Sequence, residues 1–249
     1  MLSQAQIKYI RALQQKKYRK LHGSFVVEGE KIVAELLRSH YHIAGIFALE
    51  EWISRFSDGI PGDVGLTRVS PTELSRISGL TTPNQVVAVV SLPDQSFHTA
   101  TDWKGLALYL DGIQDPGNLG TIIRTADWFG IDLIGCSPDT ADIYNPKVIQ
   151  ATMGSFLRVR VIRATLSAFL GKVTKKPVIY GTSLEGENLF SSQFPESALV
   201  IIGNESKGIS ADLRPLIDKW IQIPGKGQGA ESLNASVAAA IVMAWHSKQ

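Results

Sequence analysis

From Leu106 onward the chain alternates short apolar runs of strand length with turns rich in Gly, Pro or Asn and, in three places, a segment with helical spacing. The strand-length runs fall at 106–110, 131–136, 157–162, 177–181, 198–202 and 219–223, and the helical segments near 119–129, 145–151 and 232–247. Strands joined through helices need crossover connections, so this pattern predicts a mainly parallel sheet with helices on both faces, a three-layer α/β domain. The first half predicts a smaller α/β unit with helices near 4–21, 30–38 and 50–56 and strands near 24–27, 43–48, 64–69 and 85–91. Ser70-Pro71-Thr72-Glu73 has the form of a capping box with proline at the first helical position, so a further short helix starts there. Residues 92–104 (LPDQSFHTATDWK) are polar and aperiodic. The expected division is therefore 1–92, a linker at 93–104, and 105–249.

Hydrophobic content of 44% with 19% charged residues over 249 positions is that of a globular chain, which excludes disordered and fibrous classes. The richest apolar stretch, 235–245, is too short for a membrane span of about 18 residues. The single Cys136 excludes a disulfide framework and a multi-cysteine zinc site, and fits a reducing compartment. The N-terminus lacks the apolar core of a signal peptide, so a cytoplasmic location is expected.

Net charge is only +2, but it is unevenly spread. Lys8, Arg11, Lys16, Lys17, Arg19 and Lys20 lie within residues 1–22, where there is no Asp or Glu, whereas the remaining 19 basic residues face all 23 acidic ones. Such asymmetry marks either a basic arm for a polyanion such as RNA or a solvated amphipathic helix with Ile7, Ile10, Leu13 and Leu21 turned inward.

The familiar catalytic constellations are missing. The five histidines show no metal-ligand spacing, so no metal is expected. There is no GxSxG elbow, and Cys136 reads as a small buried hydrophobe. Residues 203–210 (GNESKGIS) approximate a phosphate-binding GxxxxGK[ST], but Ile209 occupies the lysine position. Three loops are nevertheless richer than connectors need to be, and each leaves the carboxyl end of an apolar strand, where open α/β sheets bind ligands. They are 111–120, 203–205 and 223–234.

In order and spacing, DPGNLGTIIRTADWFG, IIGNESKGIS and IPGKGQGAESLNASVAAAI resemble the three motifs of the SpoU/TrmH-type RNA ribose 2′-O-methyltransferases, members of the SPOUT superfamily. The resemblance covers about 105–247. The first half, with FVVEGEKIVAELL after a basic helix, resembles the accompanying L30e-like substrate-binding domain. The resemblance implies S-adenosylmethionine as methyl donor, a C-terminal trefoil knot, a homodimer, and an RNA substrate that leans toward ribosomal RNA over tRNA. No membrane or metal partner is implied.

It also implies roles for individual residues. Arg124 would be the catalytic arginine, with Asn118, Glu205, Ser232 and Asn234 completing the catalytic set. Thr182, Gly203, Asn204, Ile223, Pro224 and Leu233 would bind the cofactor. Local roles compete with these: Asn118 and Ser232 as helix caps, Glu205 as a carboxylate at a helix start, and Arg124 as a solvated residue sharing a face with Gly120, Thr121 and Trp128. A guanidinium holds its proton to about pH 12, so Arg124 would act either as a base assisted by an RNA phosphate or as a clamp on phosphate and developing alkoxide. Relative to the motif pattern, Gly225 replaces methionine, one residue is added before SLN, Ala235 replaces valine and Ile209 leucine. The competing reading is a non-catalytic, dimeric RNA-binding protein that keeps the knotted fold, and intact Asn118, Arg124, Glu205, Ser232 and Asn234 count against it.

Overall fold

In the computed structural model the described residues are 1–93, 103–173, 175–227, 229 and 231–249, so most of the expected linker lies outside them. They form two units. One comprises 1–93 together with 142–157, and the other 103–141 together with 158–249. The segment 142–157 is separated in sequence from the first unit, so compactness in space does not follow the linear division expected from the linker.

The first unit carries a four-stranded sheet in the order β1-β4-β2-β3: β1 (Ser24–Glu28), β4 (Val86–Ser91), β2 (Ile43–Ala48) and β3 (Leu66–Arg68). β4 runs antiparallel to both neighbours and β3 parallel to β2. β1 and most of β4 are buried on both faces, which is why they read as continuous apolar runs rather than alternating ones. Helices α1 (Gln4–Ala12) and α5 (Pro71–Ile77) pack through Ile7, Ile10, Leu74 and Ile77 into one core with Val26, Val87 and Val89. The Ser70 capping box forms as expected. Glu73 also accepts from the Leu2 amide at 2.7 Å, joining the start of the chain to the start of α5. The unit is completed by α3 (Glu30–Leu36), α4 (Glu50–Phe56) and α7 (Pro146–Thr152), the last supplied by the 142–157 segment.

The expected helix at 4–21 is two helices, α1 and α2 (Lys16–His22). Arg19 explains the break. Its Nη1 donates to the carbonyls of Leu13 and Gln14 at 2.9 and 2.8 Å, oxygens that a continuous helix would pair with backbone amides. The same guanidinium forms a 2.6 Å ion pair with Asp142, and its side chain is only 3% exposed. Arg19 is thus a buried structural residue and not a member of an exposed basic arm, whereas Lys8, Arg11, Lys16, Lys17 and Lys20 are exposed. Leu21, expected to face the core, is 68% exposed because the second helix turns it outward.

The second unit is a six-stranded, fully parallel sheet in the order β10-β8-β9-β5-β6-β7. Its strands are β5 (Gly105–Leu110), β6 (Leu133–Cys136), β7 (Arg160–Arg163), β8 (Val178–Asn188), β9 (Ser197–Ile202) and β10 (Lys219–Gln222). Ala107, Tyr109, Leu199 and Ile201 face a core completed by Phe169 of α8 (Leu166–Leu170), a helix the sequence pattern did not reveal because it spans five residues. Helix α6 (Pro116–Trp128) buries Leu119, Ile122, Ile123 and Ala126, and packs against α9 (Ala235–His246). From β5 the chain moves to β6 on one side, and from β9 to β10 on the other, so a topological switch point lies between β5 and β9. Cys136 is fully buried, and desolvation pushes its thiol up to about 12, consistent with an inert core residue.

Two predictions follow from the first unit. Arg19→Ala strands Asp142, a buried carbonyl and a half-buried one, so chemical denaturation should show a loss of about 3–5 kcal/mol, against about 0.5 kcal/mol or less for Lys17→Gln. Glu73 is held down to about 2 from 4.5, chiefly by the Ser70 amide and then by the Leu2 amide. Its contribution is therefore complete above pH 4.5 and disappears as pH falls through about 2, so Glu73→Gln should remove that part of the acid sensitivity of thermal unfolding.

Candidate active site

The loops that leave β5 and β9 are fastened to each other. Buried Asp111 accepts from the Ser210 amide at 2.7 Å, and Asn204 Nδ2 donates to the Gly112 carbonyl at 2.9 Å. Asn204 Oδ1 accepts from the amides of Ser206 and Lys207, shaping a turn closed by paired backbone bonds between Asn204 and Gly208. A side chain at position 203 would run into the backbone of Gly208, so only glycine permits this closure.

Asp115, and not Asn118, caps α6: its Oδ1 accepts from the Asn118 amide at 2.8 Å. That leaves the Asn118 side chain free for other work. Its Nδ2 donates to Glu205 Oε1 at 2.5 Å, and its Oδ1 accepts from Asn234 Nδ2 at 3.0 Å. Asn234, not Ser232, caps α9, with Oδ1 accepting from Ser236 and Val237 amides. Glu205 sits in a turn with no helix after it, which removes the helix-start reading. One residue from each of the three motif loops is therefore joined in a single hydrogen-bonded chain, Glu205–Asn118–Asn234.

Beside this chain opens a cavity of about 630 Å³. Thr182, Gly203, Asn204, Ile223 and Leu233 line it, as do Glu205 and Ser232. Pro224, Asn118, Arg124 and Asn234 are not among its lining residues. The Thr182 hydroxyl donates to the Ile201 carbonyl at 3.0 Å, so it also tethers β8 to β9. Leu184, Glu185, Arg214 and Trp220 line the cavity too and carry no motif in the sequence. The Arg214 guanidinium lies 6.0 Å from the Trp220 ring centre. Trp220 fits only because its β8 neighbour in the sheet is Gly181, where a Cβ would come within 2.8 Å of the indole.

Arg124 lies on α6 two turns beyond Asn118 and is exposed, with no hydrogen bond or ion pair from its side chain among the described residues. Thr121 and Trp128 share that exposed face, but Gly120 is buried with Leu119, a departure from the expected face. Among the described residues no group of His, Cys, Asp and Glu could hold a metal ion, and no helix is long and apolar enough to cross a membrane.

The cavity volume is in the range of small-molecule sites, and its lining joins apolar walls (Ile223, Leu233, Trp220) with carboxylates (Glu185, Glu205). That donor set fits S-adenosylmethionine, which presents an aromatic base and a cationic sulfonium.

Comparison with known proteins agrees. Residues 105–244 match the SpoU rRNA Methylase family, and residues 4–88 match the MRM3-like substrate binding domain. The 23S rRNA (guanosine(2553)-2′-O)-methyltransferase RlmP of Bacillus subtilis is 34% identical over 240 residues, covering 95% of this chain and 94% of that protein. A TrmH-family protein from Porphyromonas gingivalis superposes with a TM-score of 0.89 at 35% identity, covering 100% of both chains. An AdoMet-bound rRNA methyltransferase from Sinorhizobium meliloti gives a TM-score of 0.85 at 27% identity, covering 100% of this chain and 97% of that one. With three motif loops joined by hydrogen bonds beside one cavity and two domain matches in the same order, the chain belongs to the SpoU rRNA methylase family and is an S-adenosylmethionine-dependent RNA methyltransferase.

Proposed function

We propose that this protein methylates a ribose 2′-hydroxyl of large-subunit ribosomal RNA. The observation that carries this reading is the Glu205–Asn118–Asn234 chain beside the cofactor cavity, supported by the named activity of the Bacillus subtilis relative. When bound, S-adenosylmethionine supplies an electrophilic methyl group on a positively charged sulfur. The ribose hydroxyl that took this methyl group would have to be placed against the cavity and give up its proton, to Arg124 in one version of its role and to solvent in the other.

Gly203, Asn204, Thr182, Ile223 and Leu233, which line the cavity, hold the cofactor in this reading, Asn204 chiefly by shaping its loop, and Pro224 is assigned there by the motif alone. Glu205 and Asn118 present fixed acceptors and donors where charge changes, and Ser232 and Asn234 complete that polar rim. Arg124, unpartnered among the described residues, is available to an incoming nucleotide. It either receives the hydroxyl proton with phosphate assistance or clamps phosphate and steadies the alkoxide.

The protein works as a homodimer with a trefoil-knotted methyltransferase region spanning 105–249, in the cytoplasm. Residues 1–92 serve as its RNA-binding region and 93–104 as the connection. The family membership supports these assignments, as do the exposed cations at the N-terminus.

Arg124→Ala should fold, since the position is exposed on a helix and alanine is the best helix former. S-adenosylmethionine affinity by calorimetry should stay within about threefold, while single-turnover transfer to an rRNA fragment drops at least about 100-fold. Arg124→Lys bears on the two roles: recovery at raised pH favours proton transfer, and no recovery favours the forked clamp without proving it. Unchanged transfer in the alanine variant would remove Arg124 from the chemistry. Asn118→Ala, which unlinks Glu205 from Asn234, should lower the transfer rate at least about tenfold with a smaller change in cofactor affinity. A loss confined to cofactor binding would place Asn118 in the pocket alone.

A further inference from the structure

Residues 1–22 hold a cluster of rings that methyl transfer does not use. On α2 the Tyr18 and His22 rings lie nearly parallel, 16° between planes and 6.3 Å between centres. Tyr9 of α1 meets His22 edge-on at 5.1 Å and 87°. Tyr9 is half-buried against the core of its unit, so the imidazole is steadied from behind. His22 is exposed, and α2 stops directly after it because Gly23 takes a left-handed φ of 59°. Lys17 Nζ sits 5.8 Å from the Tyr18 ring centre. Lys8, Arg11, Lys16 and Lys20 are exposed on the same two helices, and no carboxylate occurs in the segment.

Cations alone would suit any polyanion. An exposed imidazole beside a half-buried tyrosine ring, set among cations, suits a narrower class, because every nucleobase has a π-face that an aromatic side chain can stack on once the base is unpaired. A duplex offers phosphates but keeps its base faces stacked inside. Arg19, the one cation of the segment that is buried and paired, holds the junction between the two helices and so fixes how the rings are presented.

We infer that Tyr18 and His22 form a stacking platform for unpaired bases of the RNA substrate, with Lys16, Lys17 and Lys20 meeting the neighbouring phosphates. The inference rests on the reading of RNA as the substrate and deepens it by naming a single-stranded segment as the bound element.

The test measures binding of a short unpaired RNA and a duplex of the same composition by fluorescence anisotropy over a series of salt concentrations. For the full-length double variant Tyr18→Leu/His22→Ala, affinity for the unpaired RNA should fall about tenfold or more, with an unchanged salt slope, because stacking releases no counterions. Duplex binding should stay within about twofold, and Tyr18→Phe should bind like wild type. Lys16→Gln/Lys17→Gln should weaken binding of both RNAs and flatten the slope on single strands by about 0.7 per lost contact. Equal losses on both RNAs, a flattened slope in the ring variant, or wild-type affinity in that variant would each overturn the platform. If the double variant does not fold, His22→Ala, at an exposed position, decides by itself: a selective loss on unpaired RNA supports the platform, and none overturns it. Methyl transfer by the wild-type protein to rRNA fragments is followed in parallel. Its absence would sink the substrate reading, whereas transfer without any ring effect would sink only the platform.

Discussion

Asn118 lies 87 residues before Glu205 and 116 before Asn234, yet its one amide side chain bonds both. The meeting depends on strand order. β5 and β9 are parallel neighbours, and the connections from their carboxyl ends depart in opposite directions. This leaves a crevice that neither connection fills. Asp111 and Asn204 then fasten the two loops across it, so Glu205 is held where Asn118 can reach it. Polar groups joined in this way have little freedom left to lose when a ligand binds beside them, since their orientation is already set by packing and hydrogen bonds. An asparagine suits the middle of the chain because it donates and accepts at once, whereas a carboxylate there would face Glu205 with like charge.

The first unit solves a different problem. Helices that carry exposed cations have to be attached firmly to something. Every third position along α1 and its end does this, with Ile7, Ile10 and the following Leu13 all buried, while Lys8 and Arg11 stay in water. Arg19 breaks the helix and ties its end to Asp142, so a residue of the same charge type as its neighbours has a structural role. A buried guanidinium with an ion pair and two carbonyl acceptors is satisfied; without them it would be a heavy penalty.

Much of this architecture is legible residue by residue. The ten strand-length runs all correspond to strands because each is apolar, short and bounded by turn residues. The Ser70 box announces α5, and the motif residues announce the cavity, which collects Thr182, Gly203, Asn204, Ile223 and Leu233. Other features are not legible. Asn118 and Asp115 are both competent caps three residues apart, and only the hydrogen bonds show that Asp115 takes the amide and releases Asn118. Leu184, Glu185, Arg214 and Trp220 have no common spacing, and a three-dimensional wall is needed to group them.

The sequence by itself determined the periodicities, the caps and the identity of the polar residues at the strand ends, since these follow from local sterics and from which face of each element must leave water. Only the tertiary structure decided what those residues do to one another. The division of 142–157 into the first unit, the burial of Arg19 and the three-residue chain through Asn118 each require contacts between segments far apart in sequence. A linear pattern records whether a side chain prefers water or oil. It does not record which carbonyl or carboxylate will be waiting when a charged group is buried, because that depends on the order in which the strands are laid side by side.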